Sequence, residues 1–95
     1  MAGFSFSDDT IVERKRELAA TEVGGDLVMV DIEAGSYLAL DGVGRRIWDL
    51  LEEPRSLSTL CGLLQQEFEV TAEVCRRDVE TFLLQMRASD LVVLR

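Results

Sequence analysis

Two short turns enclose an apolar run, and a further extended segment then leads straight into a helix start. No other part of the chain narrows the fold as much. The residues are GGDLVMVDIEAGSYLALDGVGRRIWDLL, positions 24–51. Gly24-Gly25 is a two-residue hairpin turn sequence, because glycine enters positive φ without a Cβ clash. Residues 26–32, DLVMVDI, are nearly all apolar and rich in β-branched side chains, the pattern of a central strand covered on both faces. Glu33-Ala34-Gly35 supplies the second turn. Residues 36–40, SYLAL, put Tyr37 and Ala39 on one face and Leu38 and Leu40 on the other. Upstream, residues 18–23 form a weaker strand. Consecutive antiparallel strands tend to be neighbours. The expected sheet is therefore a three-stranded antiparallel meander with 26–32 in the middle. Residues 36–40 then lie at an edge, with unpaired N–H and C=O groups along one side.

Helical spacing takes over after residue 40. Asp41 reads as an N-cap, and Val43, Ile47, Trp48, Leu50 and Leu51 form an apolar stripe ended by Pro54. Ser56 caps a second helix with Leu57, Leu60, Cys61, Leu64 and Phe68 on one face. Thr71 caps a third, with Glu73 in the first turn. Its stripe is Cys75, Val79, Phe82 and Met86, flanked by Val74, Leu83 and Leu84. The closing LVVLR is a short strand or a docked tail. Strands first and helices after make the fold class α+β.

Ninety-five residues make one domain. Residues 1–10 read as a flexible N-terminal arm, with Phe4 and Phe6 as possible anchors, and residues 11–95 as the domain. The cluster Glu13-Arg14-Lys15-Arg16-Glu17 reads as a solvated strand or arm. Three basic residues flanked by acids are too few for a nucleic-acid footprint. The net charge of −8 also repels phosphate backbones. No apolar run approaches the roughly 20 residues of a bilayer span, and the N-terminus lacks the plan of a signal peptide. The expected setting is the cytoplasm, with no membrane partner.

Chemistry has little to work with. There is no histidine, so the commonest general base is missing. Two separated cysteines, Cys61 and Cys75, give no zinc ligand set, and both fall on apolar helix faces, where Cys acts as a small hydrophobe. No phosphate loop, dinucleotide fingerprint or nucleophile elbow occurs. The sequence points to no enzyme, no metal and no cofactor. It does point to binding. A free strand edge accepts an extended peptide as an added strand, and the Val74–Asp78–Phe82–Gln85 flank of the third helix is placed to line a groove beside it. Val79, Phe82 and Met86 also fit plain core. Asp78 sits at the rim of the helix stripe, suited to a cationic group of a peptide or to Arg77. Trp48 reads as a core anchor and Tyr37 as a half-wet contact.

Three segments together resemble the PqqD family: the strand, turn and Tyr37-x-x-Leu40-Asp41; the helix Ile47-Trp48-x-Leu50-Leu51; and Asp78-Val79-x-x-Phe82-Leu83. The resemblance covers residues 18–94. It implies a three-stranded sheet packed on three helices in a winged-helix-like arrangement. It also implies a leader-peptide recognition element for ribosomally made, modified peptides of the pyrroloquinoline-quinone (PQQ) or lasso-peptide type. By position, Ser36, Tyr37, Leu38, Ala39 and Leu40 would supply the strand side of the peptide site. Val74, Cys75, Asp78 and Phe82 would supply the helix side. The implied partners are a precursor leader and a maturation enzyme, either a radical-SAM protein or a lasso-type leader peptidase. Asp41 stands where many relatives have Asn. Asp90 stands where many have Gly, which implies a different turn at the end of the third helix.

Two other outcomes fit the same elements. A winged-helix DNA-binding regulator has this helix order, but its third helix would offer only Arg76, Arg77 and Arg87. A homodimer would form if the free edge paired with its own copy.

Overall fold

The computed structural model describes residues 4–95. In chain order the elements are β1 (Ile11–Arg14), β2 (Ala19–Val23), β3 (Asp26–Asp31), β4 (Ser36–Leu40), α1 (Gly42–Leu50), β5 (Arg55–Ser56), α2 (Leu57–Glu67), α3 (Ala72–Ala88) and β6 (Val92–Leu94). The fold is α+β, with two small antiparallel sheets and three helices. One sheet is the expected meander, ordered β2-β3-β4; the other is ordered β5-β1-β6.

The meander follows its turn chemistry. Gly24 and Gly25 take φ of 58° and 93°, and register runs from Val23↔Asp26 to Ala19↔Val30. Across the next turn Leu27 pairs with Leu40, Met29 with Leu38 and Asp31 with Ser36. These rows face the helices, and Met29 and Leu40 are buried. The opposite rows, Ala19–Val30–Tyr37 and Thr21–Val28–Ala39, carry no charge. Tyr37 is 75% exposed and Ile32 83%. Residues 26–32 are thus covered on one face, not on both. All the helices lie on one side, so β-branched content at 28, 30 and 32 reflects strand preference rather than burial.

The second sheet corrects the solvated reading of Glu13–Glu17 in part: Lys15 and Glu17 are exposed, but Glu13 and Arg14 belong to a strand inside a sheet. Val12 is fully buried, with β5 on one side of it and β6 on the other. Arg14 lies over the Trp48 ring, 4.3 Å from its centroid, and donates to the Trp48 carbonyl. Residues just upstream join the body too. The Leu57 N–H donates to the Thr10 carbonyl, the Ser58 N–H to the Asp8 carbonyl, and Phe6 packs on the core. The closing LVVLR contributes the β6 strand.

Helix starts are capped where Ser56 and Thr71 accept from the N–H of Thr59 and Val74. Asp41 differs: it holds the N-cap position of α1, but its side chain makes no capping bond. The core joins Met29, Ile47, Trp48, Leu51, Leu57, Leu60, Leu64, Val79, Leu83 and Met86. On α3 the buried stripe is Cys75, Val79, Leu83 and Met86. Phe82 sits beside that stripe, half-buried, and turns toward β4.

Arg16 fixes how far the meander stands from α3. Its guanidinium pairs with Asp31 at 2.8 Å and donates to the carbonyls of Ser89 and Asp90 at 3.3 and 3.1 Å. Asp90 takes φ 62°, the left-handed conformation that glycine commonly supplies after a helix. The Leu91 N–H reaches back to Met86 and the Asp90 N–H to Arg87, both at 2.9 Å. Lys15 holds the Asp90 carboxylate at 2.6 Å. Asp90 thus closes the helix in a conformation open to glycine.

The hydrogen bonds from Arg16, then the Ala34 N–H, hold the Asp31 carboxyl below its ordinary value of 3.8. A lowered folded-state pKa stabilises the fold fully above the unfolded value and is lost as pH falls through the folded one. Asp31→Asn is therefore expected to lower the thermal midpoint at neutral pH. The gap to the unsubstituted chain should close below pH 3.8, which a series of melts at falling pH checks. A gap that stayed constant would remove the ion pair from the account.

Candidate peptide-binding cleft

β4 pairs with β3 on one side only. Its other edge opens onto a cleft of about 330 Å³ between the strand and α3. Leu38, Ala39 and Leu40 form the strand wall, and Phe82, Gln85, Met86 and Ser89 the helix wall. Asp41 and Gly44 close one end. These residues are spaced i, i+3, i+4 and i+7, so one face of α3, continued into its C-cap Ser89, supplies them all. Toward Ser36 a more polar hollow of about 450 Å³ continues past Ser89, between Arg16, Glu33 and Asp90. Leu40 and Met86 are buried in the floor.

The expected site residues do not all meet in this cleft. Leu38, Ala39, Leu40 and Phe82 do. Ser36 lies at the polar end. Tyr37 belongs chiefly to the outer sheet face, with Leu18 and Leu91 near its inner edge. Cys75 and Asp78 line a separate apolar hollow of about 50 Å³ with Val43, Leu64, Phe68 and Val79. Val74 is half-buried and lines neither. Asp78 is exposed, its carboxylate 3.9 Å from Arg77. Cys75 is buried, its thiol 3.8 Å from the Cys61 carbonyl. The Cys61 thiol is pushed up to about 11 by burial and by neighbouring Cys75, so Cys61 stays an uncharged thiol at neutral pH.

Met86 and Ser89, one and two turns beyond Phe82, were not singled out for the site in the sequence. Their signal was available: a face through 82, 85, 86 and 89 contains Gln85, which the sequence had placed beside the strand. Gly44 gave no signal, because its contact with Phe82 joins two helices 38 positions apart.

Charge is uneven along the cleft. At the polar end Asp31 and Asp90 are each paired, with Arg16 and Lys15. Asp41, at the other end, has no ion-pair partner among the described residues. No helix is long and apolar enough to cross a membrane among the described residues.

An open-edged meander beside three helices and a second small sheet defines a small α+β fold. The family model for Coenzyme PQQ synthesis protein D (PqqD) matches residues 26–92, and the chain belongs to that family. No curated protein matches the chain. Two solved structures are similar. One, described as TbiB1 in complex with the TbiA(beta) leader peptide, is 26% identical, with 94% of each chain covered and a TM-score of 0.69. The other, a lasso peptide synthetase B1 complexed with the leader peptide, is 19% identical. It covers 86% of this chain and 96% of its own, with a TM-score of 0.72, and it bears on the fold alone.

Proposed function

We propose that this chain is a non-catalytic adaptor that captures the leader of a ribosomally made precursor peptide as a fourth strand on β4. The observation that carries this reading is the unpaired edge of β4 opening onto the α3 cleft. Main-chain hydrogen bonds along Ser36–Leu40 would supply affinity, and side chains entering the cleft would supply selectivity. Tyr37 flanks the added strand on the outer face. Phe82, Gln85, Met86 and Ser89 meet its inward residues. Asp78 and Val74 serve residues running on past Leu40, and Cys75 backs that hollow from the core.

The 26% identical structure supports the reading, since it is a leader-peptide complex. The held precursor would then be presented to a maturation enzyme, a radical-SAM protein or a leader peptidase. Tethering accelerates such a step by raising effective concentration. A DNA-binding role finds little on α3: Arg76 is already engaged by Glu80 and Asp8, which leaves Arg77 and Arg87 on a chain of net charge −8.

The test is a titration of isotope-labelled protein with the leader peptide encoded beside its gene. Saturable amide shifts are expected at Ser36–Leu40 and along α3 from Phe82 to Ser89. Absence of saturation, or shifts confined to the outer sheet face, would overturn the proposal.

A further inference from the structure

Gly44 lies within α1, and its φ is not positive, so nothing in its backbone calls for glycine. Glycine inside a helix is less favourable than alanine. The reason for it lies across the cleft. A Cβ on Gly44 would stand 3.1 Å from Phe82 Cε1, with Cδ1 and Cζ at 3.7 and 3.8 Å. The first distance is well inside the 3.5–4.0 Å optimum for carbon atoms. The Phe82 ring thus rests against the α1 backbone because no side chain occupies that space. Phe82 is the largest side chain of the helix wall, facing Leu38 and Leu40. Where its ring lies sets how much of the cleft is open.

We infer that Gly44 is a specificity-determining residue: by letting Phe82 lie back on α1, it makes the cleft fit a bulky apolar side chain of the bound peptide. The inference rests on the peptide-binding reading above and adds the size of the side chain and the residue that sets it. A methyl at 44 pushes the ring toward β4, where the peptide's inward side chain would sit. The contact calls for a ring movement of a few tenths of an ångström, so the cleft narrows slightly and its bulkiest guests lose most. Gly62, the glycine of α2, provides the control, since a Cβ there meets nothing within 4 Å.

The probes are ten-residue peptides selected from a random display library against the unsubstituted chain. Each is remade with Phe, Leu, Val or Ala at the position that selection fixes as apolar. Affinities are measured for the unsubstituted protein, Gly44→Ala, Gly62→Ala, Phe82→Leu and the double variant Gly44→Ala/Phe82→Leu. The unsubstituted protein and Gly62→Ala should favour the Leu over the Ala peptide by about tenfold, the order expected for removing methylenes from an apolar pocket. Gly44→Ala should reduce that ratio several-fold, mainly by weakening the Leu and Phe peptides. The double variant should restore it. Phe82→Leu alone should move the preference from Leu toward Phe, which keeps the test open if Gly44→Ala folds poorly.

An unchanged ratio in Gly44→Ala would overturn the inference. So would equal weakening of every peptide without rescue by Phe82→Leu. Peptides that shift β4 amides but show no size preference would overturn this inference and leave the adaptor reading standing. Failure to select any peptide that shifts β4 would overturn both.

Discussion

Leu38→Glu is expected to weaken leader binding by about a hundredfold, roughly 2.7 kcal/mol, while Tyr37→Glu changes it by less than about threefold. The two residues are adjacent on β4, but alternation sends them to opposite faces. Leu38 is half-buried, pairs with fully packed Met29 and lines the cleft; Tyr37 is 75% exposed on the outer face. A carboxylate at 38 would have to be desolvated when an apolar side chain fills the cleft, at a cost of several kcal/mol without a partner. At 37 it stays in water. Calorimetry on the two variants checks the difference, with circular dichroism to confirm that both are folded. Equal losses at 37 and 38 would place the peptide on the outer face or nowhere on this strand.

Val12→Asp is expected to leave the chain largely unfolded at 25 °C, while Glu13→Ala keeps its cooperative melt to within about 0.5 kcal/mol. Val12 has no exposed surface and sits in the central strand of the second sheet, opposite Arg55 and Leu94. An unpaired charge there costs about 3–5 kcal/mol, a large part of the 5–15 kcal/mol that holds a typical domain together. Glu13 is partly exposed and pairs with Arg95 at the surface; exposed ion pairs are worth little. Thermal melts settle the contrast. A well-folded Val12→Asp chain would mean that the second sheet contributes little to the fold.

The difference between what the sequence yielded and what it withheld follows from range. The meander was legible because its signals are local: Gly24-Gly25 and Gly35 stand beside the strands they join. The caps at Ser56 and Thr71 were legible for the same reason, each bonding an N–H three residues on. The second sheet was not. Its central strand is only four residues, Ile11-Val12-Glu13-Arg14, too short to show an apolar alternation, and it finds partners at positions 55–56 and 92–94. A two-residue strand has no period to detect. The strand half of the cleft came from topology and could be reasoned out. The helix half depended on the rotation of α3, which the apolar stripe does not resolve: Phe82 and Leu83 are equally apolar, yet the core took Leu83 and left Phe82 at the cleft.

The meander has two borders, not one. β2 flanks β3 on the side away from β4; both of its faces are exposed, and neither border strand contains proline or lysine to discourage pairing. If β4 of one molecule were to dock on β2 of the next, each addition would leave a fresh β4 at the growing tip. Head-to-tail contacts of that kind build open filaments unless rotation closes them into a ring. A guest chain seated on β4 acts as a terminator, so loading would keep the protein dispersed as well as occupied.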